Sequence, residues 1–217
     1  MSDITPFHIE DAQPLVNTSE PAVNISEKKN KKKVSRFLLK KFQENHLKLG
    51  GILTTRFNAK TLVENRSFLE NINSTGDKNH GIACIYCAPS EISEKIPIGS
   101  RCAVLEMDND ANMIIGIGLI ENKACKKKIS VYEWGYYNRV NYIGYFRIER
   151  KDMSPEELKT MAVLELKCFK GSGHLKRGKG LTMFPIAYLF ELFENDIDVE
   201  TIIREMFNRR FLTSSSS

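Results

Sequence analysis

The sequence predicts an α+β domain: a small twisted antiparallel sheet, or partly open β-barrel, with flanking helices and a helical C-terminal third. Three observations predict it. Between residues 81 and 149, five short apolar runs are joined by short polar connections, as in a small β-rich core. Beyond residue 153 the spacing turns helical, with Val199, Ile202, Ile203, Met206 and Phe207 at i, i+3, i+4, i+7 and i+8. Charge is also segregated. Residues 1–27 hold five acids and neither Lys nor Arg, while residues 28–48 hold nine bases against the single acid Glu44.

The 217 residues suit one domain over 34–212, behind a tail of 1–33 and before a polar end of 213–217. Hydrophobic residues are 41% and charged residues 27%, so a core can be buried without disulfides or metal staples. No run approaches the roughly 18 consecutive apolar residues of a membrane span. Met1–Asn30 lacks the basic-then-apolar order of a secretory signal. The five cysteines are an odd number, which reads as reduced thiols in the nucleus or cytoplasm.

Taken in order, residues 1–33 are expected to be disordered, because like charges repel and little apolar surface offsets the ordering entropy. Val34, Phe37, Leu38 and Phe42, set among lysines and arginine, predict a short basic amphipathic helix ending near Gly50–Gly51. Ile52–Phe57 reads as a strand. Asn58 then caps a helix to about Ile72, with Leu62, Phe68, Leu69 and Ile72 inward. Strands are expected at Gly81–Cys87, Arg101–Met107, Met113–Ile120, Lys128–Trp134 and Tyr142–Glu149, with Asp108–Asn112 as a hairpin loop. Ser154-Pro-Glu-Glu157 is a helix start, with Ser as N-cap, Pro at the first position and Glu at the third. That helix runs to about Phe169 and stops at Gly171, although residues 162–169 also fit a strand. Ile186–Phe193 reads as a short helix, and the last helix starts near Asp198.

Three groups of residues carry chemistry suited to nucleic acid. In the tail, Lys31, Lys32 and Lys33 can neutralise phosphates, serve as an import address, or simply solubilise. In the loop Gly171-Ser-Gly-His-Leu-Lys-Arg-Gly-Lys-Gly180, glycines free backbone N–H groups for an anion while His174, Lys176, Arg177 and Lys179 add charge. A solvated, unused loop fits the same residues. Gly173-x-x-x-x-Gly178-Lys179 imitates a nucleotide-triphosphate loop, but Gly180 replaces the magnesium-binding hydroxyl and Pro185 opposes a following helix. The third group is the run of aromatics from Tyr132 to Phe146, interleaved with Arg139 and Arg147, whose rings either belong to the core or, where they face outward beside the arginines, can stack bases.

Two further features each have two readings. Gly116 and Gly118 face one side of a strand, leaving either a groove for a flat ligand or room for a packed helix. Cys84 and Cys87, with His80 upstream, form half a zinc set, or else two buried thiols. No cofactor is implied, and no nucleophile or paired-carboxylate signature supports catalysis.

The stretch Ile98-Gly-Ser-Arg-Cys-Ala-Val-Leu-Glu-Met107, a polar turn, and Met113-Ile-Ile-Gly-Ile-Gly-Leu-Ile120 resembles PUA-like domains of the ASCH and EVE kind, over residues 81–150. The resemblance implies a partly open barrel that holds RNA or a modified base in an aromatic pocket, with Trp134, Tyr136 and Tyr145 as its candidates. The helices after residue 153 and the dense aromatic cluster depart from that pattern. The expectation is therefore a non-catalytic nucleic-acid-binding module. The alternatives are a structural or interaction component of a viral or nuclear assembly, docking a protein through its last helix, and then an enzyme acting on phosphate-containing substrates. The sequence carries no signal for oligomeric state.

Overall fold

The structure is a computed structural model that describes residues 35–45, 50–75 and 81–212. Helix α1 spans residues 35–45. It is followed by strand β1 (Gly51–Phe57), helix α2 (Ala59–Thr75), β2 (Cys84–Ala88), β3 (Arg101–Asp108) and β4 (Met113–Glu121). Strands β5 (Val140–Gly144) and β6 (Phe146–Glu149) come next, then α3 (Pro155–Phe169), β7 (Thr182–Met183), α4 (Ile186–Phe193) and α5 (Val199–Phe211). The tail, with Lys31, Lys32 and Lys33, lies outside the described residues, as do His80 and the polar end.

The architecture is α+β, with a five-stranded sheet in the order β6-β4-β3-β1-β7 and a two-stranded sheet of β2 and β5. The larger sheet is mixed, because β1 runs parallel to β3 while its other pairs are antiparallel. Its end strands, β6 and β7, do not pair with each other, so the sheet stays open. The expectation of a wholly antiparallel sheet fails for a topological reason. Between β1 and β3 the chain makes a long crossover through α2 and β2, and such a connection can bring the second strand back parallel to the first.

Alternation along each strand assigns its two faces. Ala103, Leu105, Met107, Ile114, Ile117 and Ile148 meet the C-terminal helices through Met161, Leu164, Leu189, Ile203, Met206 and Phe207. Cys102, Val104, Ile120, Leu53 and Phe57 face the β2–β5 ribbon and α2. The chain passes between the two sheets at Tyr145, where β5 ends on its pairing with Cys84 and β6 begins its pairing with Leu119. Phe42 of α1 packs on Phe190 and Phe193 of α4.

The helix signals act as expected. The Asn58 side chain accepts from the Thr61 N–H at 2.9 Å, and Asp198 accepts from the Thr201 N–H at 3.1 Å. Ser154 and Glu157 form a reciprocal capping box, and residues 162–169 are helical. The helix stops before Gly171, whose φ of +76° suits glycine. The expected strand Lys128–Trp134 does not form, and this part of the chain is irregular. No helix among the described residues is long and apolar enough to cross a membrane.

Candidate functional site

The irregular segment owes its shape to one buried side chain. The Asn138 carboxamide oxygen accepts from the N–H groups of Val131 and Tyr132, at 3.1 and 3.0 Å. Its Nδ2 donates to the Tyr132 carbonyl and the Ser130 hydroxyl. These bonds do the work of a strand partner, so the backbone is satisfied without joining a sheet. The outcome is a rigid loop that presents rings. Trp134 stacks on Tyr136 with centroids 5.5 Å apart, and Tyr137 meets both edge-on. Trp134 is 63% exposed, far more than core packing would leave.

Cations complete this surface. The Arg139 guanidinium lies 4.7 Å from the Tyr136 ring centroid, and the Lys179 ammonium lies 5.6 Å from it. Lys179 belongs to the glycine-rich loop, so two of the segments singled out in the sequence converge here. Between them is a cavity of about 250 Å³. Tyr132, Trp134 and Tyr137 wall it on one side, Gly178 and Gly180 on another, and Arg56 and Asn109 lie at the ends of β1 and β3.

The glycine-rich loop is anchored, not loosely solvated. Arg56 Nε donates to the Leu175 carbonyl, Asn109 Nδ2 to the Lys176 carbonyl at 3.1 Å, and the Lys176 ammonium to Asn112 Oδ1 at 2.8 Å. His174 Nδ1 accepts from the Lys176 N–H within the loop. Arg177 is exposed. The loop follows helix α3 and precedes the two-residue strand β7, so the strand–loop–helix frame of a triphosphate loop is not there.

Other expected site residues lie elsewhere. Arg147 is not a surface cation. Its guanidinium grips Glu106, which is fully buried, with Nη2 to Oε2 at 2.8 Å and Nε to Oε1 at 3.0 Å. Arg66 and the Tyr86 hydroxyl complete the shell at 2.6 and 2.7 Å. Burial pushes the Glu106 carboxyl up, but hydrogen bonds from Arg147 and the charges of Arg66 and Arg147 outweigh it and hold the group below the ordinary carboxylate range. Tyr145 sits at the end of β5 opposite Arg139, away from the cavity.

The Gly116 and Gly118 readings resolve into a third. A Cβ on Gly118 would stand 1.9 Å from the Tyr86 hydroxyl, and one on Gly116 would stand 2.8 Å from Arg147 Nη2. The glycines therefore make room for the buried ion pair and tyrosine on the face that α2 and the β2–β5 ribbon cover. A Cβ on Gly118 would stand 2.8 Å from Cys84 Sγ, whereas Cys87 lines the aromatic cavity, so the two thiols do not converge. Burial pushes both up to about 12. Among the described residues no three His, Cys, Asp or Glu side chains are grouped to hold a metal.

Sequence reasoning passed over Arg56, Asn109, Arg66, Glu106 and Asn138. Glu106 did leave a signal, since it is a charged residue inside the apolar run from Cys102 to Met107. The fold and site together define an open mixed sheet in an α+β domain, carrying a cavity walled by aromatics and lined by Arg56. Compared with known family models, curated proteins and solved structures, the chain matches none.

Proposed function

We propose that the protein is a non-catalytic nucleic-acid-binding module that takes an unpaired base against Trp134 and Tyr137, with the adjoining phosphates on Lys179 and Arg139. One observation carries this reading. Exposed Trp134 and edge-on Tyr137 wall a single cavity, and Tyr136, with Arg139 and Lys179 against its ring, stacks on Trp134 beside it. A flat π-face with adjacent positive charge suits a base and its backbone, and stacking on an aromatic is worth about 1–3 kcal/mol per base. A base in a paired, stacked duplex could not enter such a cavity, so the reading specifies single strands or extruded bases. The resemblance to PUA-like domains agrees with it.

Trp134 is the chain's one tryptophan, so its fluorescence reports the site alone. Single-stranded oligonucleotides are expected to quench it, and Trp134→Ala, read by the anisotropy of a labelled oligonucleotide, is expected to weaken binding about 5- to 150-fold, the equivalent of one lost stack. Quenching by duplex but not by single strands would overturn the reading.

A second reading has its own observation. An apolar cavity of about 320 Å³ lies between α5 and the sheet, lined by Ile52, Leu119, Ile203 and Phe207. It fits a protein partner on the last helix. Filling it with Asn208→Phe is expected to leave oligonucleotide binding unchanged if the first reading holds.

A further inference from the structure

Among the described residues, three buried side-chain polar atoms have no hydrogen-bond partner: Arg56 Nη1, Asn109 Oδ1 and Asn141 Oδ1. Two of the three belong to residues that line the aromatic cavity. A buried polar atom without a partner is costly, and native proteins keep few of them. Two at one cavity call for a ligand that satisfies both.

The backbone sets them side by side. Strands β1 and β3 are parallel, and Arg56 pairs with Met107, two residues before Asn109. The Asn109 N–H donates to the Phe57 carbonyl at 2.9 Å, which ties the two strand ends together. Arg56 is the donor of the pair and cannot accept. Its Nε is engaged by the Leu175 carbonyl, and it forms no ion pair among the described residues. Asn109 spends its Nδ2 on the Lys176 carbonyl, which can only accept, so the amide orientation is settled and Oδ1 is left as an acceptor. Gly178 lies against the guanidinium, and a Cβ there would fall 2.5 Å from Arg56 Cζ. Any larger residue would occupy the space over Arg56.

Building on the base-stacking reading above, we infer that Arg56 and Asn109 select the base, reading a carbonyl oxygen beside a ring N–H as found in uracil, thymine and guanine. Arg56 Nη1 donates to the carbonyl, and Asn109 Oδ1 accepts the ring N–H. The usual recognition of adenine by asparagine needs both its amide N–H and its carbonyl. Here one of the two Nδ2 hydrogens is held by the Lys176 carbonyl, which fixes the amide toward the glycine-rich loop. An unpaired guanidinium favours the strongest acceptor on offer, and an exocyclic carbonyl carries more negative charge than a ring nitrogen flanked by an amino group.

The test uses the full chain and seven-nucleotide strands of abasic sites carrying one central base, with Trp134 quenching as readout. Uracil and guanine are expected to bind roughly tenfold tighter than adenine and cytosine, the size of one good base-edge pair. A strand carrying N3-methyluracil, which keeps both carbonyls and loses the N–H, is expected to fall to the level of adenine. Arg56→Lys keeps the charge but loses the planar fork, and it is expected to erase the preference, leaving uracil and guanine no tighter than adenine and cytosine. The N3-methyl comparison needs no variant, so it stands even if Arg56→Lys fails to fold. Equal quenching by all four bases, or a preference that survives N3 methylation, overturns the selection and leaves stacking intact. No quenching by any strand overturns both readings.

Discussion

At the scale of single residues, the most consequential side chain is one the proposed chemistry does not use. Glu106 is enclosed by Arg147, Arg66 and Tyr86, and it holds the β2–β5 ribbon and α2 against the larger sheet. Glu106→Gln keeps the shape and removes the charge, leaving the buried Arg147 with only the half-exposed Glu149 as an ionic partner. Loss of about 3–5 kcal/mol is expected in urea denaturation, as for other buried pairs stripped of one partner. A pH dependence follows as well. Glu157 is held below the ordinary value of 4.5 chiefly by hydrogen bonding to Arg210, and Glu106 is also held below it. A carboxyl depressed in the folded state contributes stability that is fully present above its unfolded value and is lost as pH falls through its folded one. The melting temperature is therefore expected to stay level down to about 4.5 and to drop below it. Glu106→Gln should flatten that drop. Gly118→Ala forces a methyl onto the Tyr86 hydroxyl and should cost about 1–3 kcal/mol, in line with other overpacked cores.

At the scale of elements, the segment between β4 and β5 decides the site. Alternating apolar residues from Lys128 to Trp134 satisfy a strand pattern, yet no neighbouring strand takes them. Asn138 takes their backbone groups instead, and the rings turn outward as a result. Asn138→Ala would leave the Val131 and Tyr132 N–H groups buried without acceptors. Each such loss costs about 1–3 kcal/mol. Chemical denaturation should register that cost, and oligonucleotide quenching of Trp134 should weaken along with it. A variant that lost stability but quenched normally would show that the pin serves folding alone. The same segment carries Lys123, Lys126, Lys127 and Lys128, all exposed. Ile129, next to them, accepts through its carbonyl from Asn141, which pairs with the cavity residue Cys87.

At the scale of the whole molecule, binding is expected to divide between the domain and the basic run at residues 28–33. Each phosphate contact removed should flatten the log-affinity against log-salt slope by about 0.7 on single strands. Replacing Lys31, Lys32 and Lys33 with Gln should therefore lower both affinity and slope, without altering the preference among bases. An unchanged slope would mean that the tail lies away from the phosphates. Reversing the charge at Lys179 should lower affinity in the domain itself.

The local elements were largely legible in the chain because their causes are local. Asn58, Ser154 with Glu157, and Asp198 announce helix starts by the hydrogen bonds they offer within three residues. The apolar spacing of the last helix and of β3 and β4 named their buried faces, and the α+β class followed. Trp134, Tyr136, Arg139 and Lys179 were visible as residues, though not as neighbours. Long-range pairing was not legible. Nothing near β1 states that it runs parallel to β3, because that depends on a crossover closed only when α2 and β2 find the far face of the sheet. Arg147 looked like a surface arginine until Glu106 met it from 41 positions away. Arg56 and Asn109 lie 53 residues apart, and only the strand register sets their unmatched donor and acceptor at one cavity. Sequence alone determined which segments could become helices and strands, since propensity, capping and periodicity act over a few residues. The tertiary structure decided which polar groups face one another and which are left unpaired, because burial and partnership are properties of the packed chain.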